Sequence, residues 1–234
     1  MNTLDAQYIQ LNEVGSIERT EFIKKTYKHV AGAVLAFIVL EFILLSIPSV
    51  REASYLLVSS GTVWLLVLGG FMLVTNYANK MAMNSHDIKK QYTGLGIYVV
   101  AQAVIFLPIL AFATSTINGP NILWQAGIVT LALFGGLTIV VFNTGKDFSF
   151  LRSGLMIVGV IAFGLIIAGT IFGFDLGLWF SVGMVVLAAG SILYQTSNMI
   201  HKYSTDQHVA AALGLFASLM LLFWYILQIF LSRD

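Results

Sequence analysis

Residues 208–231 read HVAAALGLFASLMLLFWYILQIFL, a run without a single Asp, Glu, Lys or Arg. A helix rises about 1.5 Å per residue, so this stretch is long enough to cross the ~30 Å hydrocarbon core of a bilayer. Six more runs of comparable length precede it, at 30–47, 55–76, 92–114, 121–142, 150–172 and 177–199. Polar breaks at 48–54, 79–90, 115–120, 143–149, 173–176 and 202–207 separate the runs, and none is long enough for a second domain. The reading is an all-α, polytopic membrane protein: a polar cytoplasmic segment over 1–28, then a seven-helix transmembrane domain over 29–234. Pro108 falls inside the third run and predicts a local kink, because it removes a backbone donor.

Composition supports lipid as the solvent. The chain is 58% hydrophobic and only 10% charged, with a mean hydropathy of +0.88, which a water-soluble globule cannot accommodate without exposing large apolar surface. A net charge of +1 supplies no field to attract nucleic acid, so no nucleic-acid partner is expected. The absence of cysteine removes disulfides, thiolate catalysis and cysteine-held metal clusters. No apolar segment with a small-residue cleavage site opens the chain, so no removable signal peptide is expected. Arg19, Lys24, Lys25, Lys28, Lys80, Lys89, Lys90, Lys146, Arg152 and Lys202 collect on the side of the N-terminus, against Arg51 and Arg233 on the other. Short cytoplasmic loops retain positive charge during insertion, so the N-terminus is expected in the cytoplasm and the C-terminus outside.

Lipid gives helices no hydrophobic reason to associate, so small residues that let backbones approach mark the buried faces. In the last span Ala210, Gly214 and Ser218 recur every four residues, with Ala211 and Ala217 beside them, which predicts a crowded central helix. Gly69 with Gly70, Gly135 with Gly136, and Gly164 with Ala168 read as further close contacts. In the sixth span Ser191, Gln195 and Asn198 share one face, with Tyr194 adjacent. Exposing these groups to hydrocarbon costs on the order of kcal/mol each, so they predict either a hydrogen-bonded seam with the last span or a solute or ion path. Glu41 is the acidic residue set well inside an apolar run and is the candidate proton sensor, since burying a carboxylate charge is costly.

No P-loop, GxSxG elbow, HExxH or paired intramembrane carboxylates occur, and His29, His86, His201 and His208 lie near span ends without metal-ligand spacing. No catalytic residue, cofactor or bound metal is expected.

The segment Ile192-Leu-Tyr-Gln-Thr-Ser-Asn-Met-Ile-His201 resembles the ILFETSNIIH stretch of the Bax inhibitor (TMBIM) family of membrane proteins, in its bacterial YccA-like branch. Lys146-Asp147-Phe148-Ser149-Phe150-Leu151 is similar to the K-D-x-S-F-L before that family's fifth span, Thr26-Tyr27 opens the first span as in the family, and Ser232-Arg233-Asp234 closes the last similarly. The resemblance implies a Bax inhibitor-type fold with the seventh span central, and a place in the bacterial inner membrane. It also implies two activities. Some members are proposed pH-sensitive calcium leaks gated by a pair of aspartates, whose positions fall on Gln195 and Ser218 here. Neither residue carries a charge, so a shared-proton carboxylate switch is absent at that pair. The YccA-like branch instead resembles a modulator of the membrane-bound, ATP-dependent FtsH protease, and residues 1–25 would be the handle that such a protease engages. The sequence reading is a nonenzymatic protease modulator, with an ion or solute leak as its alternative.

Overall fold

The computed structural model describes residues 15–83 and 86–233, apart from the side chain of Ser16; the first part of the polar segment, 1–14, lies outside the described residues. Among these residues there are eight helices and no strand: α1 (Ser16–Ser46), α2 (Pro48–Leu56), α3 (Gly61–Met83), α4 (Ile88–Ser115), α5 (Gly119–Thr144), α6 (Leu151–Phe172), α7 (Gly177–His201) and α8 (His208–Leu231). Seven of them are long and apolar enough to cross a membrane. Seven crossings, an odd number, would put the start of α1 and the end of α8 on opposite faces of the bilayer. The face carrying most of the lysines is called the basic face below, and the other the Arg51 face.

Helix α1 is 31 residues long, about 46 Å, and so exceeds the ~30 Å of hydrocarbon by several turns. Its buried positions are Phe22, Thr26, Val30, Ala33, Phe37 and Glu41, a stripe advancing three or four residues at a time along one face. The stripe starts well before residue 30, because the first turns pack against protein on the basic face while Arg19, Lys24, Lys25 and Lys28 project outward or lie half-buried.

The break at 48–54 is a short helix, not an irregular loop. Pro48 sits at its first position, where a missing donor costs nothing and the fixed φ favours a helical turn. At nine residues α2 cannot span the bilayer, and the second span starts at Gly61 instead of residue 55. The α4 helix runs unbroken through Pro108.

The small-residue strip places α8 at the centre: 78% of its apolar window is buried within the protein, and it touches α1, α3, α4, α5 and α7. It does not hold the centre alone. Helix α4 is 61% buried over the same kind of window, whereas the other spans range from 11% to 28%. Helix α6 lies at the periphery against α3 and α7. The glycine pairs correct the sequence expectation. A Cβ built on Gly69, Gly70, Gly135, Gly136 or Gly164 would meet nothing within 4 Å, so these residues open surface and form no close helix contact. The close crossing lies elsewhere, at Gly94, whose Cβ would stand 2.7 Å from the Ala78 carbonyl oxygen and 2.9 Å from the Ala82 Cβ.

Candidate functional site: a polar cavity beside the central helix

A cavity of about 940 Å³ lies between α3, α4, α6, α7 and α8. At the Arg51 face its wall includes Asp175 and Ser232; at its deep end lie Ser191, Gln195 and Ser218. Three hydrogen bonds organise the polar lining. Ser191 and Ser218 hydroxyls stand 2.8 Å apart, and Ser218 Oγ donates to the Gly214 carbonyl at 3.1 Å. A hydroxyl has one proton, so Ser191 is the donor to Ser218. Nearer the mouth, Ser181 donates to Gln228 Oε1 at 3.3 Å.

Gly214 explains how Gln195 fits. A Cβ there would lie 2.7 Å from Gln195 Oε1 and 3.0 Å from its Cδ, so only glycine lets the amide rest against the α8 backbone. Gly214 and Ser218, with Ala217 on the cavity wall, therefore work as a seat for groups from α7, while Ala210, one turn earlier on the strip, meets Gln91 of α4. Facing them from α4 are Tyr98 and Gln102, 7% and 5% exposed. Aromatic rings wall the other side, where Trp64 stacks on Trp224 at 6.3 Å between centroids. Of the four tryptophans, these two are half-buried against the core, while Trp124 and Trp179 are exposed. Apart from tyrosine hydroxyls, Asp175 is the one ionisable side chain on the wall, and it lies at the mouth.

The structure thus joins Ser191, Gln195, Ser218 and Gly214 in one place. Asn198 is buried one turn further toward the basic face, off the cavity, and its Oδ1 accepts no hydrogen bond from the described residues. Tyr194 is also off the wall; its ring carries Lys202 Nζ at 5.8 Å. Glu41 is 4% exposed, neither of its carboxyl oxygens has a hydrogen-bond partner among the described residues, and it does not line the cavity. Gln102, Gln228 and Ser181 were missed by sequence reading, although an amide inside an apolar run is the same signal that drew attention to Gln195. No group of three or more acidic or histidine side chains able to hold a metal occurs among the described residues.

Below the deep end the basic face is stapled shut. Gln91 is fully buried; its Nε2 donates to the Asp206 carbonyl at 3.0 Å, and its Oε1 accepts from the Ala210 N–H at 3.2 Å. That N–H belongs to the first turn of α8, where backbone donors lack helical partners. Gln207 Nε2 donates to the Met83 carbonyl at 3.2 Å, the Tyr203 hydroxyl meets Met83 Sδ at 2.9 Å, and His86 Nδ1 stands 2.8 Å from Asp206 Oδ2. The α7–α8 loop is thereby fixed to the ends of α3 and α4.

The α5–α6 connection docks nearby. Gly145 ends α5 with a left-handed φ of 59°, which glycine adopts without strain. Asp147 Oδ1 accepts from the Ser149 N–H at 2.8 Å and from Ser197 Oγ at 3.2 Å, and the Phe148 N–H donates to Ser197 Oγ at 2.9 Å. The hydrogen bonds from Ser149, above all, hold the exposed Asp147 carboxyl below its usual range. The two segments that carry the family resemblance, 146–151 and 192–201, therefore meet at Ser197.

The sequence profile described as inhibitor of apoptosis-promoting Bax1 matches residues 19–234. The chain belongs to the Bax inhibitor family. Its relatives include bacterial, plant and viral proteins. An uncharacterized protein of Pseudomonas aeruginosa is 35% identical over 125 residues, which is 53% of this chain and 55% of that protein, so the alignment spans about half the length of each. Protein LIFEGUARD 4 of Arabidopsis thaliana is 27% identical over 232 residues, covering 92% of this chain and 86% of its own. An uncharacterized protein of Campylobacter jejuni is 27% identical over 247 aligned residues and covers both chains completely. The family expected from residues 146–151 and 192–201 is borne out, and with it a multi-pass membrane protein that has bacterial homologues.

Proposed function

We propose that this Bax inhibitor family protein is a nonenzymatic conduit of the bacterial inner membrane, caught closed, with its N-terminus cytoplasmic and a vestibule that admits a small polar solute or a cation from outside. One observation carries the reading: the cavity from the Arg51 face ends on the Gln195 amide and the Ser191–Ser218 pair instead of on apolar packing. Buried polar groups deep in a membrane domain are costly and commonly mark paths. The floor is neutral. Calcium in a binding site takes 6–8 oxygens, often carboxylates; here the deep oxygens are amide, hydroxyl and carbonyl. Such a lining passes an ion without trapping it and without the proton switch of an aspartate pair. Glu41 is no part of this path.

Gly214→Ala tests the gate directly. The new methyl displaces the Gln195 amide, which is the free end of a flexible side chain, so the floor shifts at small cost to stability. Calcium entry into dye-loaded proteoliposomes is expected to rise several-fold over the parent, while Gln195→Leu in the Gly214 background lowers it below the parent's rate, because the floor loses its polar group. Entry in the Gly214→Ala vesicles equal to that in protein-free vesicles would sink the conduit.

A second reading, restraint of a membrane-bound FtsH-type protease, is favoured by the length of α1, whose first turns project beyond the hydrocarbon on the basic face. Deleting residues 2–18, which spares the buried Phe22, is expected to abolish copurification of that protease from native membranes and to leave calcium entry unchanged. Undiminished copurification argues against the handle.

A further inference from the structure

Between its mouth and the Gln195 floor, the polar cavity is walled by aromatic rings. Trp64 from α3, Phe106 from α4, Phe180 from α7, and Trp224 and Tyr225 from α8 all stand on it. Phe106 meets Trp224 edge-on, at 88° and 4.9 Å between centroids, while Trp64 lies within 14° of parallel to Trp224 at 6.3 Å. Phe180 and Tyr225 meet at 73° and 6.0 Å. Along α8, Trp224 falls between Ser218 at the floor and Ser232 at the mouth, about 9 Å from the first and about 12 Å from the second at ~1.5 Å per residue.

Charge along this route has one sign. No Lys, Arg or His stands on the wall, and the Asp175 carboxylate is at the mouth, where its Oδ1 accepts from the Gly177 N–H at 3.0 Å. An anion entering here meets a carboxylate and then the negative faces of the rings, so the route selects against it. A calcium ion gains nothing from the rings, because it needs a shell of oxygens. A weakly hydrated ammonium gains from both features: the carboxylate attracts it, and a ring face within about 6 Å of it does so again once water is left behind. Its alkyl groups favour the same apolar surroundings. The cavity, about 940 Å³, is also far larger than a metal ion requires and lies within the roughly 300–1,000 Å³ of pockets that enclose organic ligands.

We propose that the vestibule binds a monovalent organic cation, a quaternary or protonated amine, which enters past Asp175 and rests its ammonium group among Trp64, Phe106 and Trp224. Such binding rests on the proposed vestibule, since the amine must reach the rings from outside.

Protection from labelling tests the site in the full-length protein, reconstituted in sealed vesicles. Ser218→Cys carries a thiol below the rings and Ser181→Cys one nearer the mouth, and each is treated from the Arg51 face with a membrane-impermeant maleimide. Choline, replacing sodium at constant chloride, is expected to slow labelling of residue 218 saturably, by about tenfold or more. The neutral isostere 3,3-dimethylbutan-1-ol, with carbon in place of the choline nitrogen, is expected to leave that rate nearly unchanged at the same concentration. In the Ser218→Cys background, Trp224→Leu is expected to raise the half-protecting choline concentration about tenfold. Asp175→Asn, which removes the charge and keeps an oxygen for the Gly177 N–H, is expected to raise it about threefold. Equal protection by choline and the alcohol, or choline protection unchanged in both variants, overturns the cation site. So does the absence of protection by choline while residues 181 and 218 both react without it, a result that leaves the vestibule standing. Failure of both residues to react in the absence of any amine removes the vestibule, and the cation site with it.

Discussion

Replacing Gly94 with valine is expected to disrupt the α3–α4 crossing and cost about 3 kcal/mol, at the top of the range for overpacked cores. The position allows no cheap escape. The nearest atoms to a new Cβ are the Ala78 carbonyl oxygen at 2.7 Å, the Ala82 Cβ at 2.9 Å and the Ala82 N at 3.2 Å, two of them backbone. Ala78 and Ala82 are themselves fully buried, so the two helices meet through three small residues, the geometry by which membrane helices gain packing energy without a hydrophobic drive. Valine must push α3 and α4 apart, and both helices wall the polar cavity. In detergent the variant is expected to lose several degrees of melting temperature and much of its monodisperse peak in size exclusion. Gly96→Val, two residues on, is the control, since its Cβ meets nothing. Equal melting temperatures for the two variants would show that the crossing is not tight.

Gln91→Leu is expected to cost a similar amount, about 3 kcal/mol, by a different route. The leucine fills nearly the same volume but satisfies neither the Ala210 N–H nor the Asp206 carbonyl, and each buried backbone group left alone costs roughly 1–3 kcal/mol. Gln91 is 0% exposed, so water does not replace it readily. The loss falls on the staple that closes the basic face. Hydrogen exchange at residues 203–211 is expected to accelerate strongly, while exchange in α6, remote from the staple, stays as in the parent. Unchanged protection at 203–211 would mean that Gln207 and Tyr203 hold the loop without help.

The spans were legible because membrane thickness imposes a length on apolar runs, and that length survives without an alignment. Their ends were less so. The α1 stripe continues to Phe22 through a stretch rich in Lys and Arg, where hydropathy falls although one face remains buried. Helix α2 looks like a loop in the sequence because its Ser, Arg and Glu residues are polar, and nothing in a nine-residue window separates a short helix from a turn. The face shared by Ser191 and Gln195 followed from spacing on one helix, and the small-residue strip of α8 supplied its partner. Asn198 was placed with them by the same spacing, but the cavity stops a turn short of it. Glycines were the least legible signal. Gly214 and Gly94 admit a neighbour, while Gly69, Gly70 and Gly96 admit none, and the difference depends on where another helix lies rather than on local sequence.

The chain has no cysteine, so each introduced thiol reports on one position alone. The decisive measurement is labelling of Ser181→Cys, Ser218→Cys and Asn198→Cys variants in sealed vesicles of each orientation, with a membrane-impermeant maleimide. The vestibule predicts that residues 181 and 218 react from the Arg51 face only, and that 198 reacts from neither. Reaction of residue 218 from the basic face, or silence of residue 181 from the Arg51 face, would contradict an access path that opens on one side and stops at Gln195.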